Sequence, residues 1–132
     1  MKVIVFLGGV ALLSAGPATL MLPDLAATAY GIPIGSDQAL GYLRATAVRD
    51  VALGCWLLAL LFLGSDRRTL AVSVFSIAIV ALGDAINVFL HAGSKTAPIL
   101  VHAGGLMVLV ALGSLLWRLQ SPCELPSANI KA

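Results

Sequence analysis

Four stretches of this sequence, at about residues 3–22, 42–63, 70–91 and 98–117, are apolar over some twenty residues each and leave little of the 132-residue chain outside them. A helix of about that length crosses the hydrocarbon core of a bilayer. Composition points the same way: 60% of residues are hydrophobic, only 11% are charged, and the mean hydropathy is +1.03. Soluble domains carry about 25% charged residues. A globule this small also leaves too much surface in water to hide so much apolar area. A soluble enzyme, a disordered tail and a nucleic-acid binder are excluded. The expected fold is all-α: a four-transmembrane-helix bundle over residues 1–120, followed by a flexible tail at 121–132 that contains Pro122 and Pro126.

The punctuation between the stretches fits. Pro23 follows the first, and Gly31, Pro33 and Gly35 mark the segment up to Gly41 as a loop. Ser36 or Asp37 is placed to cap the second helix, which then starts before the membrane does. Gly64 and Ser65 close one helix and open the next, Gly93 suits a helix end, and Thr96 before Pro98 suits a helix start. Cys55 lies in an apolar stretch and Cys123 in the polar tail, so both read as free thiols. Lys2, the apolar stretch after it and Ala27-Thr28-Ala29 loosely imitate a secretory signal, but that stretch is as long as a full span, whereas signal cores run to about 7–15 residues.

Four spans put both termini on one side. That side receives Lys2, Arg67, Arg68, Arg118 and Lys131, while the loops opposite hold Lys95, Asp24 and Asp37. Short loops rich in Lys and Arg stay in the cytosol, so both termini are expected there, in the inner membrane of a bacterium or the endoplasmic reticulum of a eukaryote.

With that orientation, the ionisable residues inside the spans collect in one half of the bilayer. Arg44, Arg49 and Asp50 fall in the first half of span two; Asp84, Asn87 and His91 fall in the last half of span three; His102 falls in the first half of span four. At about 1.5 Å per residue, Asp50, Asp84 and His102 lie roughly 7–14 Å below the outer boundary. Helical rotation puts Asp84, Asn87 and His91 on one stripe, extended by Ser73 and Ser76, and gathers Tyr42, Thr46, Arg49 and Asp50 in one sector. Arg44 points elsewhere and is expected to snorkel to the interface. His102, Gly105 and Gly113 share a face of span four, and glycines admit a neighbouring backbone; the pairs Gly8-Gly9 and Gly104-Gly105 read as close-packing sites for the same reason.

An Arg or Asp at a helix centre costs about 2.5–3.5 kcal/mol to insert, so such residues face the bundle interior and pair. Arg49 with Asp50 or Asp84 can form a charge-balanced cluster, and two carboxyls around one Arg can divide roles, one charged and one protonated. The plainest role for it is to hold helices in register. The layer nevertheless contains more polar types than one salt bridge needs. His91, next to a loop, reads as a solvated interfacial histidine; Tyr42 and Trp56 read as interface and packing aromatics; Ser73 and Ser76 read as bonding back to their own helix. No zinc-ligand spacing, nucleophile elbow or phosphate loop is present, and no metal is expected. His91 and His102 flank a hairpin, but their unequal depth argues against a haem held between them.

Pro23-Asp24, Tyr30-Gly31-Ile32-Pro33, Arg44, Arg49-Asp50-Val51-Ala52-Leu53-Gly54, Asp84-Ala85 and the histidine-bearing hairpin resemble a family of small four-helix membrane proteins of unknown function, in the DoxX-like grouping. The resemblance covers nearly the whole chain and implies a four-helix fold without an established activity. Some similar proteins accompany biosynthetic enzymes for lipophilic natural products.

The expected function is an integral membrane enzyme performing acid–base chemistry without a cofactor (isomerisation, cyclisation or hydration) on a lipophilic small molecule that enters from the bilayer. Asp84 is the expected proton donor or acceptor, Asp50 its electrostatic counterpart and Arg49 the group that orients both. Asn87 and Tyr42 would hold substrate or water, with His102 and His91 in reserve. The alternatives are a scaffold that assembles other membrane proteins or a second copy of itself, and a proton-coupled carrier. Four short spans lack the repeated halves of secondary transporters.

Overall fold

A computed structural model of the chain describes residues 2–31, 34–91 and 96–119. Among these it contains α1 (Lys2–Met21), α2 (Pro23–Tyr30), α3 (Asp37–Phe62), α4 (Arg67–His91) and α5 (Thr96–Arg118). All but α2 are long and apolar enough to cross a membrane, and a helix satisfies all its backbone hydrogen bonds within itself, as lipid requires. The chain is an all-α, multi-pass membrane protein. The tail at 121–132, Cys123, Gly93 and Lys95 lie outside the described residues.

The helices start and stop for local reasons. The Ser36 side chain accepts from the Ala39 backbone N–H at 3.2 Å and so caps α3 before the apolar stretch begins. Asp66 caps α4 by accepting from the Thr69 N–H at 2.8 Å, and that bond holds its carboxyl below the usual range. Gly64, at φ +74°, turns α3 into α4 through the left-handed region that glycine enters without strain.

One element differs from expectation. Residues 23–30, read as loop, form α2: Pro23 occupies the first turn, where its missing N–H costs nothing, and Gly31 at φ +71° caps the end. A helix of eight residues has too short a pattern to stand out beside Gly31, Pro33 and Gly35.

The long helices run alternately up and down. Antiparallel α1 and α3 pack along their length, as do α4 and α5, whereas α3 and α4 touch over a short stretch. The α1–α3 seam is built from small residues. A Cβ on Gly54 would stand 2.6 Å from the Leu13 backbone nitrogen and 2.8 Å from the Gly9 carbonyl oxygen, and one on Gly16 would meet Val51 and the Ala47 carbonyl. Such close approach is how membrane helices gain packing energy where no hydrophobic drive separates them from lipid. Gly113 plays the same part under the Phe75 ring. Gly8, Gly104 and Gly105 have nothing within 4 Å of a Cβ position, so the close-packing role expected of those pairs falls to Gly9 alone. Val5, Leu57, Leu70, Ala71, Val74, Ile77 and Leu116 join the two pairs in one core at the end where α1 starts and α5 finishes.

Candidate functional site

At the opposite end, beyond that apolar core, the seam between the helix pairs is polar. Arg49 leaves α3 one residue before Asp50, and its fork engages carboxylates on two helices. Nη1 and Nη2 each donate at 2.8 Å to separate oxygens of Asp84 on α4. Nε and Nη2 donate at 3.1 and 2.8 Å to the single oxygen Oδ1 of Asp50. The side chains of Asp50 and Asp84 are 9% and 14% exposed and that of Arg49 30%, so the charges lie largely inside the seam. Two-point Arg–carboxylate pairs are the strongest hydrogen-bonded ion pairs and fix direction as well as distance.

Asp50 Oδ2 has a different partner. The Tyr30 hydroxyl, at the end of α2, donates to it across 3.4 Å. Burial, and next the Asp50 carboxylate, raise the Tyr30 pKa above its ordinary value, so the phenol stays a donor throughout the neutral range. The Tyr30 ring lies 5.0 Å from the His102 ring on α5, tilted by 48°. A relay thus runs from Asp84 through Arg49 and Asp50 to Tyr30, with His102 against its far end. Because the Tyr30–Asp50 bond is long, Tyr30→Phe is expected to cost under about 1 kcal/mol of stability, measured by reversible unfolding of the purified protein in micelles. A larger loss would make Tyr30 a structural tie.

The remaining expected site residues are placed less uniformly. Asn87 donates to the Tyr42 hydroxyl at 3.0 Å, a second tie between α4 and α3. His91 is exposed and its Nδ1 pairs with the Asn87 carbonyl of its own helix at 2.8 Å, outside the cluster. His102 is brought to Tyr30, so the two histidines have separate neighbours. Arg44 is exposed, as its position on the helix implied. Thr46 and Ser76 bond back to the carbonyls of Tyr42 and Val72. Ser73 is buried and Ser76 exposed, so these serines do not continue the polar stripe.

Tyr30 is the residue that sequence reasoning missed. The signal available was the pairing of Pro23 at a helix start with Gly31 at a helix end, which brackets one short helix ending in tyrosine. Beside the cluster, Ala27, Tyr30, Ile34, Ala39, Tyr42 and Leu43 line a crevice of about 10 Å³, about the space one water centre needs.

A family model described as a domain of unknown function (DUF4267) matches residues 9–116, which include every residue of this cluster. No curated protein and no solved structure matches the chain.

Proposed function

The chain belongs to the family described as a domain of unknown function (DUF4267), and for this member we propose acid–base catalysis, without a cofactor, on a lipophilic small molecule drawn from the bilayer. The observation that supports it is the unequal binding of two carboxylates by one guanidinium. Asp84 gives both oxygens to the fork, which suits a fixed counter-ion. Asp50 gives Arg49 only Oδ1 and leaves Oδ2 to a long bond from Tyr30. We assign Asp50, whose Oδ2 is held only by the long Tyr30 bond and can turn to a substrate, as the proton acceptor and Asp84 as the electrostatic partner, the reverse of the roles expected from sequence.

In the reaction, Asp50 takes a proton from the substrate or from a bound water and returns it at another atom, with Tyr30 as donor to the developing oxyanion. No electrons change hands, which confines the chemistry to isomerisation, cyclisation or addition of water. Tyr42 lines the crevice and is held by Asn87, and the His102 ring packs against Tyr30. The substrate enters beside α2 along the crevice lined by Ala27, Tyr30 and Tyr42. The same reading puts both chain termini in the cytosol, by the concentration of Lys2, Arg67, Arg68 and Arg118 at the end of the bundle that carries them, and groups the chain with DoxX-like four-helix proteins.

Lipid extracts of cells producing the wild type, Asp50→Asn or Tyr30→Phe at equal membrane levels provide the test. A lipophilic compound converted to an isomer, or gaining one water, should appear with the wild type and be lost with both variants. Unchanged extracts across the three would remove the catalytic reading. The small size of the crevice supports a second reading, in which the cluster is only a tie across the thin α3–α4 contact; there the variants would alter folding or partner recovery and nothing in the extracts.

A further inference from the structure

The end of the bundle away from the cluster is basic and hollow. Lys2 at the start of α1, Ser65 in the α3–α4 turn and Arg67 at the start of α4 surround a cavity of about 300 Å³, floored by Leu70 and Leu116. Both leucines are almost completely buried, so the floor belongs to the core. Arg68 and Arg118 add charge nearby. Arg68 stands 5.6 Å from the Trp117 ring, and Phe75, Ser114, Trp117 and Arg118 line a second groove of about 420 Å³ between α4 and α5.

Among the described residues these cations have no salt-bridge partner. Among the described residues, the salt bridges are those of Arg49 with Asp50 and Asp84 at the other end. Asp66, the nearby carboxylate, is occupied by the backbone and hydroxyl of Thr69. Arg67 Nη1 donates to the Leu119 carbonyl at 2.6 Å, which closes the α5 end against α4, and this is its one side-chain hydrogen bond among the described residues. The positive-inside rule asks only for cations in loops; it does not ask that two of them line a concavity with an apolar floor.

We infer that the Lys2–Ser65–Arg67 cavity binds the phosphate group of an anionic phospholipid from the leaflet at that end. Arg67 and Lys2 supply the charge and Ser65 a neutral hydrogen bond. The acyl chains run down the apolar flank, where the Phe75–Trp117 groove offers a surface. Basic pockets between spanning helices recognise lipid headgroups in this manner, and Arg suits a phosphate by its fork. The inference is independent of the proposed chemistry at Asp50, since no residue is shared.

Trp117 supplies the readout. With Trp56→Phe leaving it as the one tryptophan, the protein is placed in vesicles of phosphatidylcholine containing either brominated phosphatidylglycerol or brominated phosphatidylcholine as quencher. Phosphatidylglycerol should quench Trp117 at lower mole fraction, and Lys2→Gln with Arg67→Gln should weaken its binding about tenfold or more, to the level of phosphatidylcholine. Equal quenching by the two lipids overturns the inference, as does a preference that survives the double variant. The comparison of lipids before substitution decides the matter even where the double variant does not fold. Inorganic phosphate is a third arm: loss of the phosphatidylglycerol signal on adding it, at constant ionic strength, would assign the cavity to a soluble phosphate compound and overturn the lipid.

Discussion

Replacing Arg49 with methionine is expected to destabilise the bundle by about 3–5 kcal/mol, the cost of breaking a buried ion pair by removing one partner. The reason is specific to this site. Arg49 bridges α3 and α4 through two hydrogen bonds to Asp84, and two more to Asp50 hold its fork in place on α3, where these two helices otherwise meet over a short stretch. Without it, Asp50 and Asp84 share a site with no counter-ion, and at least one must take up a proton or draw in water. Arg49→Lys keeps the charge but cannot reproduce the two-point contact with Asp84, so it should fall between wild type and Arg49→Met. Reversible unfolding of purified protein in mixed micelles, followed by helical circular dichroism, measures all three. A loss under about 1 kcal/mol for Arg49→Met would show that the fork contributes little to holding the helix pairs together.

The same experiment separates cohesion from chemistry. A triple variant, Arg49→Met, Asp50→Asn and Asp84→Leu, removes the charges together and should recover most of the lost stability, because apolar replacement of a whole buried ionic cluster is often neutral or favourable. Recovered stability without the conversion in lipid extracts would mean that the fold does not need the cluster. Failure to recover would return the cluster to the role of a register device.

Gly54→Leu should be the other severe change. A Cβ at Gly54 runs into the Leu13 nitrogen and the Gly9 oxygen, backbone atoms that cannot rotate aside, so α1 must move bodily off α3. Overpacking of this kind costs typically about 1–3 kcal/mol and more where backbone must shift. At Gly9 the obstacle is the Leu58 side chain, at 2.8 Å, which can turn away, so Gly9→Ala should be milder. Gly104→Ala is the control: nothing lies within 4 Å of the added carbon, and exchanging glycine for alanine in a helix gains roughly 0.5–1 kcal/mol. Equal loss at positions 54 and 104 would mean that the α1–α3 seam is not the tight contact described.

The cluster was legible before the fold because lipid makes charge expensive. Arg49, Asp50 and Asp84 stand in stretches that exclude ionisable residues, so each needed a partner, and the helical period placed them at similar depth on inward faces. Tyr30 carried no such signal. It lies outside the four apolar stretches, on a helix too short for a period to show, and twenty residues from the carboxylate it meets. The glycines misled in the opposite sense. Gly8-Gly9 and Gly104-Gly105 look alike as adjacent pairs, yet a helix turns about 100° per residue, so at most one of each pair can face a given neighbour.

From sequence alone came the class of solvent, the four spanning helices and the need for their ionisable side chains to pair, because hydropathy over twenty residues and the cost of charge in lipid are properties of the chain and its medium. Tertiary structure decided which helix lies against which, that Asp84 offers Arg49 two oxygens and Asp50 one, and that α2 brings Tyr30 to the oxygen left over. Those outcomes depend on how closely small residues such as Gly9, Gly16 and Gly54 let two backbones approach, and steric fit between distant segments is set only once the helices have packed.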